Sequence, residues 1–173
     1  MKKTVFLLAS LFVMMLATQR VNAQNPATAS ANATATIITP ITIAFQEHLN
    51  FGNIVAGTDA GTVTVTASTT PARSSTRGVI LPIATPGTFN AARFTVSGLA
   101  DATYTITLPA SATITHTDGA TTMTVDEFTS DPDEAGVLTG GTQDLSVGAR
   151  LNVGAGQVAG DYTGEFSVTV AYN

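Results

Sequence analysis

Tyr162-Thr163-Gly164-Glu165-Phe166-Ser167-Val168-Thr169-Val170-Ala171-Tyr172, almost the last residues of the chain, decides its fold class. Tyr162, Gly164, Phe166, Val168, Val170 and Tyr172 share one parity, and Thr163, Glu165, Ser167, Thr169 and Ala171 the other. Successive side chains of a strand point to opposite faces, so this order gives one apolar and one polar face. Upstream, Leu145, Val147, Ala149, Leu151 and Val153 alternate with Ser146, Gly148, Arg150 and Asn152. Tyr104, Ile106 and Leu108 alternate with threonines, as do Val63 and Val65. Shorter candidates are 94–96, 112–114 and 123–125, and 78–83 is more continuously apolar. Threonine, valine and isoleucine are β-branched and favour strands. Beyond the leader described below, no window of helical length carries a 3.6-residue stripe. The expectation is an all-β, immunoglobulin-like antiparallel sandwich of about seven to nine strands.

The other end of the chain sets its compartment. Lys2 and Lys3 precede a 13-residue run, 5–17, that is apolar except for Ser10, and Val21-Asn22-Ala23 has the small residues of a cleavage site. This is the pattern of a secretory signal peptide over 1–23. The run is too short for a bilayer core, which takes about 20 residues. Cleavage after Ala23 leaves 150 of the 173 residues. The expected localisation is export, to the periplasm, the cell surface or the extracellular space, without membrane insertion of the mature chain. Four arginines then face twelve acids, a formal charge of −8. That balance repels phosphate backbones and argues against nucleic acid as a partner. Cysteine is absent, and a single core of this size does not need disulfides. No lysine remains in the mature chain to protect its strand edges, which favours edge-to-edge association.

Between the leader and the sandwich lies a different alternation. Ala27, Ala29, Ala31, Ala33, Ala35 and Ile37 occupy odd positions, and Thr28, Ser30, Asn32, Thr34 and Thr36 even ones. The interleaved Thr, Ser and Asn disfavour a helix, so 24–39 is expected to be extended, with the sandwich over 40–173. Burying five methyl groups and one isoleucine does not offset the entropy of ordering eleven residues. The segment therefore needs ladder hydrogen bonds from a neighbouring strand, in its own domain or in another copy.

Leu49-Asn50-Phe51-Gly52-Asn53-Ile54-Val55-Ala56-Gly57 and the ending from Ala159 to Asn173 resemble a family of secreted bacterial domains of unknown function, numbered 4402. Phe94-Thr95-Val96-Ser97-Gly98 and the stretch from Ala102 to Pro109 fit the same family. That family is similar to spore-coat-U-type and chaperone–usher pilin subunits. The resemblance implies a sandwich lacking its last strand, with the gap filled by a neighbour's N-terminal extension. Carried onto this chain, it makes Ala27, Ala29, Ala31, Ala33, Ala35 and Ile37 the donor face and 162–172 the border of the acceptor groove. Gly160, fourteenth from the end, and the penultimate Tyr172 match the pilin pattern. The partners implied are copies of the chain itself, or a periplasmic chaperone and an outer-membrane usher.

Chemistry-bearing residues are sparse. His48 and His116 are far apart in sequence and no cysteine joins them, whereas zinc takes three or four such ligands. No G-x-S-x-G elbow is present. Asp126, Glu127, Asp131, Asp133 and Glu134 form an acidic cluster, but a calcium loop counted from Asp131 has Ala135 and Thr142 where ligands belong. The cluster is expected to be a solvated loop around Pro132. A glycosidase built on paired carboxylates usually has aromatic platforms, and the chain has no tryptophan. Thr139-Gly140-Gly141-Thr142 reads as a hairpin turn. The expectation is a non-catalytic structural subunit without cofactor or metal. The alternative is a self-complete monomeric module that binds carbohydrate or protein.

Overall fold

The computed structural model describes residues 27–173. The signal peptide expected over 1–23 lies outside them, as do residues 24–26 of the extended segment. The chain divides into two units between Thr36 and Ile37. In the first, residues 27–36 belong to no strand and all are exposed.

The second unit, Ile37–Asn173, is an all-β antiparallel sandwich. In chain order its strands are β1 (Thr42–Glu47), β2 (Val55–Ala56), β3 (Gly61–Val65), β4 (Arg73–Ser75), β5 (Val79–Ile80), β6 (Ala92–Ser97) and β7 (Thr103–Thr107). There follow β8 (Ser111–His116), β9 (Thr122–Asp131), β10 (Ala135–Val137), β11 (Thr142–Val153), β12 (Tyr162–Thr163) and β13 (Thr169–Tyr172). The large sheet runs β1-β6-β11-β9-β8-β12, with β3 also on β11 and β4 on β3. The second sheet is β10-β7-β13, and β2 pairs β5. These thirteen strands among the described residues exceed seven to nine because several are two or three residues long and because the final run divides. Tyr162 and Thr163 pair with β8, residues 164–168 leave the ladder, and β13 pairs with β7 in the other sheet.

Strand β11 organises the packing. Its first half pairs β6, its second half pairs β3, and its other edge pairs β9. Leu145 and Val147 enter a core with Val96, Tyr104, Ile106 and Leu138, which joins the two sheets. Ala149, Leu151 and Val153 enter a second core with Val63, Val79 and Val125. Leu49 and Phe128 pack against both. Each fully buried large aliphatic side chain here contributes about 1.5–3 kcal/mol. The buried Tyr104 hydroxyl donates to Gln143 Oε1 at 2.9 Å, and burial raises its pKa. Among the described residues, no buried side-chain nitrogen or oxygen lacks a partner.

Two local readings need correction. Thr139-Gly140-Gly141-Thr142 is not a hairpin turn: β10 and β11, on either side, belong to different sheets, and a 3-10 turn (Thr139–Gly141) carries the chain across. The acidic cluster is not mainly a loop, because β9 extends through Asp131. A bulge between the Gly148 and Arg150 pairings lets Asp126 and Glu127 both reach Arg150. In the apolar run 78–83, Val79 and Ile80 form β5 and Val79 is buried, but Ile80 and Ile83 are 63% and 96% exposed.

Two carboxylates are tuned by their surroundings. In the turn after β8, Asp118 accepts the backbone N–H of Ala120 (2.8 Å) and of Thr121 (2.9 Å) and the Thr121 hydroxyl (2.7 Å), which hold its carboxyl well below 3.8. Arg150 donates to both oxygens of Asp126, at 3.0 and 3.2 Å, and lowers that carboxyl also. A carboxyl depressed in the folded state binds fewer protons there than in the unfolded chain. Its stabilisation is present above the unfolded value and is lost as pH falls through the folded one.

Two predictions follow from these contacts. Leu145→Ala lowers unfolding free energy by about 2–5 kcal/mol in denaturant titration, whereas Ile80→Ala changes it by less than about 0.5 kcal/mol. Asp118→Asn keeps an acceptor but removes the charge. The fall in stability on acidification below 3.8 is then shallower than in the parent chain, and parallel curves would exclude this carboxyl as a source of acid sensitivity.

Candidate functional site

Strands β8, β9 and the second half of β11 turn Ala112, Ile114, Met123, Val125, Leu151 and Val153 to one face of the large sheet, by the period-two alternation already visible in the sequence. These side chains floor an open groove of about 1400 Å³. Residues 45–56 form one wall and residues 157–166 the other. The space is open because both walls are mostly irregular: only Val55 and Ala56 of the first wall beyond β1, and Tyr162 and Thr163 of the second, lie in strands. Phe45, on the rim, is 54% exposed, and Val55 and Val158 are exposed as well. On the inner face of 162–172, Tyr162, Phe166, Val168, Val170 and Tyr172 are half-buried and none is fully buried. The apolar face of the terminal run is thus only partly covered.

The same run has an open edge. Among the described residues β12 pairs only with β8 and β13 only with β7. The backbone of 164–168 lies in no ladder. An extended edge with unpaired N–H and C=O groups is a template for another strand.

Each wall is pinned by a small polar cluster. At the second wall, the His116 ring lies 4.9 Å from that of Tyr162, and His116 Nε2 is 3.3 Å from the Ala159 carbonyl. The Tyr162 hydroxyl donates to the Val158 carbonyl at 2.7 Å and accepts from Gln157 Nε2 at 2.9 Å. Gly160 has φ +148°, and a Cβ there would collide with the His116 ring, so both conformation and space require glycine. At the first wall, Arg73 Nη1 contacts the carbonyls of Phe51 (2.7 Å), Asn53 (3.2 Å) and Pro86 (3.2 Å) as donor. Its guanidinium lies 4.8 Å from the Phe89 ring centre, within range of a cation–π contact.

At the far end of the run, the Tyr172 hydroxyl accepts the Leu99 N–H at 2.6 Å and donates to the Thr39 carbonyl at 2.8 Å. It fixes the place where the N-terminal segment joins the sandwich.

The residues singled out in the sequence are therefore placed as follows. Gly160 and Tyr162 mark one end of the terminal run and Tyr172 the other. Ala27, Ala29, Ala31, Ala33 and Ala35 are exposed and in no strand, within the other unit, and Ile37 is 98% exposed. Sequence reasoning missed Arg73 as the holder of the first wall. The available signal was scarcity, since Arg73 is one of only five arginines in the chain.

The electrostatics of the groove have one sign. Glu47, Asp161 and Glu165 line it, with no lysine or arginine among the lining residues. His48 also lines it and lies against Phe45, with ring centres 4.5 Å apart. Among the described residues, no three His, Asp or Glu side chains are grouped to hold a metal ion. What this arrangement can do is bind an extended apolar segment, using side-chain burial on the floor and main-chain hydrogen bonds at the edge.

No curated protein matches the chain. A family model described as a domain of unknown function, DUF4402, matches residues 41–172. The match takes in every strand of the sandwich and both walls of the groove, and the chain belongs to that family.

Proposed function

We propose that the protein is a non-catalytic, exported structural subunit, similar in its assembly to pilins, which joins to its neighbours by strand exchange. In this reading residues 27–37 of one copy lie in the groove of the next and add a strand along 162–172. The observation that carries it is the open apolar groove beside an unpaired strand edge. Burial of apolar side chains and a new ladder act together there, each backbone hydrogen bond contributing about 0.5–1.5 kcal/mol.

Two properties of the N-terminal segment support the match. Residues 27–37 and 162–172 are both eleven residues long. In extended form each covers about 36 Å at roughly 3.3 Å per residue. The chain also carries no charged residue from Gln24 to Gln46. A neutral strand enters a groove rimmed by carboxylates without burying a charge, whereas an acidic one would be repelled. A subunit that must be kept from premature exchange fits export through a periplasmic chaperone and an outer-membrane usher, with display at the cell surface.

Light scattering coupled to size-exclusion chromatography tests the reading on the chain that begins at Gln24. The expected result is a series of oligomers, which collapses to monomer when residues 24–39 are deleted and does so in the presence of that segment as a free peptide. A chain that stays monomeric at high micromolar concentration would instead favour a self-complete secreted binding module.

A further inference from the structure

We infer that Ile37 is the anchor of the donor segment, the largest side chain that it seats in the acceptor groove of the next copy. This rests on the strand-exchange reading. The donor's apolar parity offers five alanine methyls and one larger side chain, Ile37. Methyl groups alone cover little of a groove of about 1400 Å³, and a larger apolar side chain displaces more water from its apolar lining. Ile37 is 98% exposed, so all of its apolar surface is available for burial elsewhere. Ile38 has the opposite parity and is already half covered, at 50%. The floor around Ile114, Met123, Val125 and Leu151 is apolar, with the Phe128 ring beside it, a surface that suits a branched aliphatic side chain.

The position of Ile37 adds to its bulk. Thr39, two residues on, is held through its carbonyl by the Tyr172 hydroxyl at 2.8 Å, and Pro40 restricts the backbone after it. Ile37 is thus at most about 7 Å along the chain from a fixed point. An anchor displayed from a fixed root loses little freedom on binding. The alanines further out carry more of that cost for less buried area each.

The absence of cysteine makes the chain suitable for a disulfide trap. The test uses the whole exported chain carrying Ile37→Cys with Met123→Cys, and a control carrying Ile38→Cys with Met123→Cys. In parallel, Ile37→Ala and Ile38→Ala are measured by light scattering, with thermal unfolding to show that both are folded. The expected result is a ladder of disulfide-linked copies on a non-reducing gel for the first pair and little for the control. Ile37→Ala raises the subunit dissociation constant about 30-fold, and Ile38→Ala less than about threefold. If the parent chain assembles but Ile37→Ala assembles equally well and neither pair cross-links, the anchor assignment is wrong while strand exchange stands. A disulfide formed only within one chain would place Ile37 in its own groove and overturn the exchange between copies. A parent chain that does not assemble removes the reading on which the anchor rests.

Discussion

The sandwich depends on one strand having two sets of neighbours. Along β11, Leu145 and Val147 serve the core between the sheets, while Ala149, Leu151 and Val153 serve the core beneath β3 and β9. Because side chains alternate strictly, a slip of one residue in β11 would expel all five from both cores together. Register is therefore fixed for β6, β3 and β9 at once, through ladders on both edges of a single twelve-residue element. The packing thins where the second sheet ends, over the half of β11 that β7 and β10 do not cover.

The groove is the outcome of this uneven arrangement. Near Leu145 the layer above is supplied by β7 and β10, and Tyr104 and Leu138 are completely buried. Near Leu151 the layer above consists of irregular stretches, tied down at single points by Arg73 and by the His116–Tyr162 pair. Individual hydrogen bonds hold a wall in place, but they do not fill the space between walls. Val125, Leu151 and Val153 on the floor are at most 3% exposed, so the area open to further burial lies on the rim, at Phe45, Val55 and Val158.

The amount legible in the sequence follows from the same physics. Period-two alternation is a local property, so the faces of 145–153, 104–106 and 63–65 are read correctly from residue order. Partner choice is not local. Nothing in the order of 162–172 marks the point at which the run leaves β8 and joins β7, because the alternation continues unbroken through 164–168. The glycines of 139–142 announce a reversal but not that the chain changes sheets there. Asp126 and Glu127 look like part of a solvated acidic stretch until Arg150, 24 residues beyond Asp126, is set opposite them. The groove is harder still to read, since it is a space between segments about a hundred residues apart. Its border at Gly160 and Tyr162 came from a family resemblance, and its other wall at 45–56 from the fold alone.

The Tyr172 hydroxyl has a mechanical meaning as well. It links residues 133 positions apart and so clasps the root of the N-terminal segment to the last strand of the domain. Tension applied to that segment reaches Thr39 first and is shared between this clasp, the Leu99 amide behind it and the antiparallel ladder of β1 on β6. A load divided among contacts that must fail together is resisted better than one that opens them in turn. With only Ile38 between Ile37 and that clasp, a partner gripping Ile37 would be joined by a stiff coupling rather than a hinge.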